Sequence, residues 1–186
     1  KDQEQHLEMT RTFANRFNRL YNVDYFPEPV AYNFGEQLIK IPGLDGSTKM
    51  GKSEGEGNAI FLNDEPAAIR KKVMKAVTDS GPTEPNQPKP QAIENIFNLM
   101  KALSKPETLV FFEEEYNNCR IRYGDMKKQL AEDAVNFTEP FREKIHELRA
   151  NEPYLRKVAM MGKEKAHESA AKTIREVREI IGFKPF

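Results

Sequence analysis

The apolar residues between positions 91 and 181 recur at steps of three and four residues. This spacing matches the helical period, so it places the apolar side chains on one face of each helix. It predicts four helices, at about 91–103, 106–118, 123–150 and 152–181. Pro140 lies inside the third of these and predicts a kink or a restart there, with Thr138 as the cap. Because each helix must bury its apolar face, we expect an antiparallel helical bundle.

The first half of the sequence has a more mixed pattern. Residues 4–21 again show a helical period, and a further helix is predicted to start near Pro66, capped by Asn63 or Asp64. Two short apolar stretches predict strands, at residues 36–41 and 59–62. A proline-rich connector, residues 78–90, separates this half from the later helices. The sequence therefore predicts a small α/β part followed by about five helices.

The composition excludes several classes of protein. The 186 residues contain 29 basic and 29 acidic side chains, which argues against a general polyanion binder but leaves room for a local basic face. The only cysteine, Cys119, excludes a disulfide framework and fits a reducing cytoplasm. We find no apolar run near membrane-spanning length and no secretory signal. Since the sequence starts without methionine, we expect it to be a piece of a longer chain.

Two lysines, Lys49 and Lys52, lie in the glycine-rich segment "GSTKMGKSEGEGN", residues 46–58. A lysine is a compact point charge that suits phosphate oxygens. On a mobile loop, two such cations can close over a polyphosphate and stabilise charge that grows during phosphoryl or nucleotidyl transfer. We expect residues 45–57 to be mobile, since they are rich in glycine and lack apolar anchors. The alternative is a solvated surface loop without a ligand.

Four ordered sequence features resemble those of one enzyme family. The stretch "KMGKS", residues 49–53, resembles the KMSKS signature of class I aminoacyl-tRNA synthetases, with Gly51 in place of serine. The start of the chain resembles the D-Q-x-x-H-x-E-x-T-R stretch of bacterial-type tryptophanyl-tRNA synthetases. "AVTDS", residues 76–80, and "IGF", residues 181–183, resemble later stretches of the same family. The HIGH-like motif is absent, so the chain resembles the C-terminal portion of such an enzyme.

The resemblance implies a reaction and a set of site residues. Enzymes of this family activate tryptophan with ATP to tryptophanyl-adenylate and transfer it to tRNA(Trp). The catalytic residues implied are Lys49, Lys52 and Ser53. The implied binding residues are Lys1, Asp2, Gln3, Ile39, Lys49, Met50, Gly51, Lys52 and Ser53. Asp2 would accept hydrogen bonds from the ATP ribose, Gln3 would face the amino acid, and the backbone of Ile39 would line the adenine pocket. Mg²⁺ would arrive with ATP, and we expect no metal site, since His146 and His167 lack partner cysteines.

The resemblance also implies a domain division and partners. Residues 1–64 would form the C-terminal part of a Rossmann-like catalytic domain, and residues 65–186 an all-helical anticodon-binding domain, giving a mainly α fold. Basic residues would follow the tRNA backbone: Arg70, Lys71, Lys72, Lys75, Arg120, Arg122, Lys127, Lys128, Arg156, Lys157, Lys163, Lys165 and Lys172. Tyr123 or Tyr154 would stack on an unpaired base. The whole protein is expected to be a cytoplasmic homodimer that does not bind membranes.

Two other interpretations remain. A tyrosyl-tRNA synthetase shares the D-Q element and the lysine-bearing loop, but lacks the H-x-E-x-T-R continuation and the V-T-D-S stretch. A non-catalytic helical tRNA-binding module would need neither lysine. In every case we expect the 186 residues alone to be inactive in amino-acid activation.

Overall fold

The computed structural model describes residues 3–32, 41–47, 49–51, 53, 55 and 57–183, and within them it contains six helices and no strand. The helices are α1 (Glu4–Tyr21), α2 (Pro66–Met74), α3 (Gln91–Leu103), α4 (Pro106–Asn117), α5 (Tyr123–Ala150) and α6 (Glu152–Ile180). The mainly α prediction is confirmed. Of the predicted strand at 36–41, residues 36–40 lie outside the described residues.

The chain divides into two compact units. The first contains residues 1–38 and 153–186, and the second contains residues 39–152. The functional division predicted at residues 64 and 65 stays a prediction. No helix in the described part of the chain is long and apolar enough to cross a membrane.

The core of the second unit is built from the apolar faces of α2 to α5. Its side chains are almost completely buried, and the central ones are Ile69, Val73, Ile93, Met100, Tyr116, Met126 and Leu130. Prolines at the first helical position start both α2 and α4, where the missing N–H leaves no bond unmade. The three- and four-residue spacing thus identified most of the residues that this unit buries, but Phe137 and Phe141, which it places on the apolar face of α5, are about half exposed.

The short stretch at residues 59–62 is not a strand, contrary to the sequence prediction. Asp64 explains the difference, because its carboxylate accepts a hydrogen bond from the Phe61 amide at 3.0 Å. The Lys72 ammonium donates both to that carboxylate, at 2.6 Å, and to the Ala59 carbonyl, at 3.0 Å. These bonds use backbone groups that a strand would offer to a neighbour. The Asp64 carboxylate is used in these bonds, and the N-cap residue of α2 is Glu65 instead of the predicted Asn63 or Asp64.

Helix α5 continues through Pro140, so the predicted restart is wrong. Thr138 is buried within the helix, and its hydroxyl donates to the Ala134 carbonyl at 2.8 Å instead of capping a new helix. Arg142, one turn beyond, is also buried. Packing on both sides of the proline therefore keeps the helix together despite the missing N–H.

Helix α6 belongs to a different compact unit from α2 to α5. It groups with α1 in the first unit, and none of its residues is buried. Within this unit the Tyr25 hydroxyl donates to the Glu176 carboxylate at 2.8 Å. The apolar spacing of α6 identified a helix correctly, but it did not identify what that helix packs against.

Lys127 is a buried cation inside the second unit. Its ammonium donates to the Ala76 carbonyl at 2.6 Å and to the Thr78 hydroxyl at 3.0 Å. Burial lowers the pKa of this lysine. The two bonds tie the "AVTDS" segment, which follows α2, to the first half of α5.

We predict that Lys127→Met destabilises the chain by about 1–3 kcal/mol, because the Ala76 carbonyl is left buried without its donor. The measurement is urea unfolding followed by circular dichroism. Lys128→Met is the matched control, since Lys128 is exposed and lies 3.8 Å from Asp125 in a solvated pair. The control should change stability by less than about 0.5 kcal/mol. Equal effects of the two substitutions would contradict a structural role for Lys127.

Candidate active site

The segment with the two lysines starts from a tight turn. We call residues 43–58 the lysine loop. The Gly43 amide donates to the Ser47 carbonyl at 3.1 Å, and the Ser47 amide donates to the Asp45 carboxylate at 2.9 Å. Hydrogen bonding from Ser47 lowers the pKa of the Asp45 carboxyl. The Ser47 hydroxyl donates to the Lys49 carbonyl at 3.1 Å, so the turn leads directly into the first lysine.

Asn58 joins the two ends of the lysine loop. Its side chain is 3% exposed, and its carbonyl accepts a hydrogen bond from the Leu44 amide at 3.1 Å. The side-chain amide group accepts from the Asp45 amide at 3.4 Å and donates to the Lys49 carbonyl at 3.5 Å. One buried asparagine therefore satisfies backbone groups on both sides of the loop opening.

The lysine loop has apolar anchors, contrary to the sequence prediction. Leu44 is 4% exposed and belongs to the core of the second unit. Met50 packs against the same core, its amide donates to the Ile41 carbonyl at 2.8 Å, and its sulfur accepts from the Ile60 amide at 3.4 Å. The loop base is thus held by packing as well as by hydrogen bonds. The mobility expected of residues 45–57 stays a prediction.

Two elements of the helical part also reach the loop base. The Val77 amide donates to the Leu44 carbonyl at 3.1 Å. From α3, the buried Asn95 side chain donates to the Ser47 carbonyl at 2.8 Å. The sequence analysis missed both Asn58 and Asn95. For Asn95 there was a signal, because it is a polar residue within the run of apolar positions that α3 buries.

The predicted site residues have different positions. Lys49 and Ser53 are exposed, and Gly51 and Met50 are partly buried. Gln3 is the cap residue of α1, and its carbonyl accepts a hydrogen bond from the Leu7 amide at 3.1 Å. Lys1, Asp2, Ile39 and Lys52 lie outside the described residues. The arrangement presents the Lys49 side chain to solvent from a fixed base, which suits an anionic ligand.

Three of the basic residues predicted to face a nucleic acid make contacts within the second unit. Arg70 forms a bidentate pair with Glu132, at 2.7 and 2.8 Å. Lys72 pairs with Asp64 and also lies 4.7 Å from the centre of the Phe61 ring. Lys127 is buried. Any basic face of the second unit must therefore use the remaining exposed cations.

Tyr123 does not have the exposed ring that stacking on a base would need. It packs partly buried against the core, and its hydroxyl is buried. Burial, and then the neighbouring Asp79 carboxylate, raises the pKa of the phenol. Tyr154 in α6 is half exposed, at 48%. Among the described residues there is no group of three histidine, cysteine or acidic side chains that could hold a metal ion.

Residues 1–139 match the family described as tRNA synthetases class I (W and Y). The tryptophan–tRNA ligase of Porphyromonas gingivalis is 56% identical over 184 residues, covering 99% of this chain and 56% of the relative. That of Aquifex aeolicus is 39% identical over 182 residues, covering 97% of this chain and 45% of the relative. The chain spans about half the length of the curated relatives it matches.

A solved structure has a similar fold. The tryptophanyl-tRNA synthetase of Campylobacter jejuni, complexed with ADP and tryptophan, superposes with a TM-score of 0.77 at 29% identity. The match covers 98% of this chain and 55% of that chain.

The turn at the loop base generates a testable prediction. A methyl group at Gly43 would lie 2.1 Å from Asn58 Oδ1 and 2.3 Å from Ser47 Oγ, closer than real contacts allow. We predict that Gly43→Ala opens the loop base and speeds hydrogen exchange at the Leu44 and Met50 amides about tenfold or more, since overpacking typically costs about 1–3 kcal/mol. Gly57→Ala is the control, because no atom lies within 4 Å of the added methyl group. Indistinguishable exchange in the two variants would show that Gly43 does not hold the base closed.

Proposed function

The chain belongs to the class I tRNA synthetases (W and Y), and from this membership we propose that it is the C-terminal part of a tryptophan–tRNA ligase. The whole protein would join tryptophan and ATP to tryptophanyl-adenylate and pyrophosphate, and then transfer the tryptophanyl group to tRNA(Trp). The names of relatives that match 97–99% of this chain support tryptophan over tyrosine as the substrate.

The observation that carries the proposal is the lysine loop with its fixed base. In the first reaction step a carboxylate oxygen of tryptophan attacks the α-phosphorus of ATP, and the bond to pyrophosphate breaks. Negative charge therefore grows on the pyrophosphate oxygens in the transition state. Lys49 and Lys52 would stabilise that charge, and Ser53 would add a hydroxyl donor. A cation fixed before the reaction is more effective than one that must be ordered during it.

The remaining site residues would bind the two substrates. Asp2 would accept hydrogen bonds from the ATP ribose hydroxyls, and Gln3 would contact the polar end of tryptophan. Lys1 and the backbones of Ile39, Met50 and Gly51 would line part of the nucleotide pocket. Mg²⁺ would enter with ATP and be held mainly by phosphate oxygens and water.

The helical part would bind the tRNA. We propose residues 65–186 as the anticodon-binding domain and residues 1–64 as part of the catalytic domain. Exposed cations such as Lys71, Lys75 and Arg122 could contact phosphates, because they are not among the cations whose contacts within the fold are described above. The proposal includes a homodimeric whole protein in the cytoplasm, where its tRNA substrate would be found.

The second lysine provides the first test. We predict that Lys52→Ala in the whole protein lowers the rate of tryptophan-dependent ATP–pyrophosphate exchange about 100- to 1000-fold, as expected for loss of one preorganised charge donor. Tryptophan binding should change much less. Lys105→Ala, an exposed lysine at the start of α4, is the control and should keep the wild-type rate. Exchange by the Lys52 variant at the control rate would contradict the catalytic role proposed for the loop. Exchange with tyrosine instead of tryptophan would overturn the substrate assignment.

The isolated 186 residues provide the second test. We predict no measurable exchange, because the groups proposed here would contact only the ribose, the phosphates and part of the amino acid. A misplacement of about 1 Å between reacting groups costs about 100-fold in rate, and half a site cannot hold two substrates that accurately. The same sample should bind tRNA weakly and lose that binding as salt is raised. Exchange at the rate of a complete synthetase would contradict this division of the site.

A further inference from the structure

The Ser47 carbonyl accepts two hydrogen bonds at the base of the lysine loop. It accepts the Gly43 amide within the turn, at 3.1 Å, and the Asn95 side chain from α3, at 2.8 Å. Ser47 is two residues from Lys49 and five from Lys52. The contact from α3 therefore holds the chain immediately before the two lysines.

Burial and hydrogen bonds fix the orientation of the Asn95 side chain. It is 2% exposed, on a helix whose other buried residues are apolar. The Gln91 side-chain amide donates to Asn95 Oδ1 at 2.9 Å, so the oxygen of Asn95 is occupied and its NH₂ group is directed to Ser47. A buried amide is costly unless its hydrogen bonds are made, and a leucine here would pack without that cost. The polar residue is therefore explained by the contact it makes with the loop.

Helix α3 also comes close to the loop at the neighbouring turn residue. A methyl group at Gly46 would lie 3.6 Å from the Ala92 side chain, and Gly46 itself adopts a left-handed φ of +89°. The turn is thus placed against one face of α3, between Ala92 and Asn95. The position of the loop base along α3 is set by these contacts and not by the turn alone.

We propose that Asn95 is a positioning residue for the proposed reaction: its hydrogen bond to the Ser47 carbonyl fixes the point from which Lys49 and Lys52 reach the ATP phosphates. This inference rests on the proposed function for its consequence in catalysis. An extended chain spans at most about 3.3–3.6 Å per residue, so a fixed Ser47 limits where both lysines can travel. Loss of that fixed point should lower the rate of the chemical step and leave amino-acid binding intact.

The test is Asn95→Asp, which has the same shape and keeps the oxygen that accepts from Gln91. It replaces the NH₂ donor with an oxygen facing the Ser47 carbonyl. Asn98→Asp is the matched control, because Asn98 is exposed on the same helix and undergoes the same change in charge. In the 186-residue chain we expect hydrogen exchange at the Leu44 and Met50 amides to rise about tenfold in the Asn95 variant, with α4 and α5 unchanged. The control should show wild-type exchange throughout.

A pH series separates the hydrogen bond from a general packing defect. A buried carboxyl beside a carbonyl has a raised pKa, and its protonated form can donate to Ser47. Loop-base protection, compared with wild type at each pH, should therefore recover as the pH is lowered from 8 to 5. Recovery would confirm the missing donor, and a defect of constant size would overturn the inference. If Asn95→Asp fails to fold, Gln91→Ala decides, because Gln91 is exposed and should give a smaller increase in exchange at the same amides.

The catalytic consequence is measured in the whole protein. The Asn95 variant should lower kcat for tryptophan-dependent ATP–pyrophosphate exchange about 10- to 100-fold, with KM for tryptophan unchanged within about twofold, while Asn98→Asp keeps both constants. An unchanged kcat would refute the positioning role. If the unsubstituted whole protein shows no exchange, the proposed function fails, whereas the hydrogen-exchange result still tests the contact between Asn95 and the loop.

Discussion

Among the described residues, the lysine loop forms no α-helix or strand. No regular pattern of backbone hydrogen bonds therefore satisfies its buried polar groups, and each group needs a partner of its own. Backbone bonds satisfy several of these groups, and two buried asparagine side chains satisfy others: Asn58 bridges the two sides of the opening, and Asn95 reaches in from α3. An amide side chain suits this work because it carries both a donor and an acceptor. The loop can therefore be rich in glycine beyond its base while its two ends stay fixed in position. The loop base is irregular and still fixed in position, because side-chain hydrogen bonds add to its backbone hydrogen bonds.

The same chain uses lysine in two opposite ways. Lys72 and Lys127 are turned inward, where their ammonium groups donate to backbone carbonyls and hold irregular segments against α2 and α5. Lys49 is turned outward, with its backbone carbonyl used by the loop and its charge in solvent. Sequence alone places all three in basic stretches and cannot separate them. Burial distinguishes the two uses, because an ammonium group whose N–H donors are bonded within the fold has few donors left for a phosphate group.

The sequence predicted most helix boundaries because the relevant information is local. The period of apolar residues and the prolines at 66 and 106 specify where α2 to α5 begin and what they bury. What it missed depends on single contacts between distant residues. The stretch at 59–62 has the composition of a strand, yet Asp64 and Lys72 bind its backbone. Likewise, "KMGKS" identifies the loop by resemblance, whereas the role of Asn95 appears only when residues nearly 50 positions apart are brought together. The role of Asn58 appears only when the two ends of the loop meet.

In the proposed reaction, the anchored base of the lysine loop affects how many residues must move when the loop closes. A lysine that stabilises charge only in the transition state must approach the phosphates during the reaction, so some part of the loop has to move. Leu44, Ser47, Met50 and Asn58 are anchored, so we expect that movement to occur mainly between Met50 and Asn58. Fewer residues then have to be ordered on closure, and fixing the backbone of one residue costs about 1–2 kcal/mol. Gly51, where the family signature has serine, lies at the start of this short stretch and adds backbone freedom there. In this proposal the helical part would contribute to the chemistry by reducing the entropy lost when the loop closes, without touching either substrate.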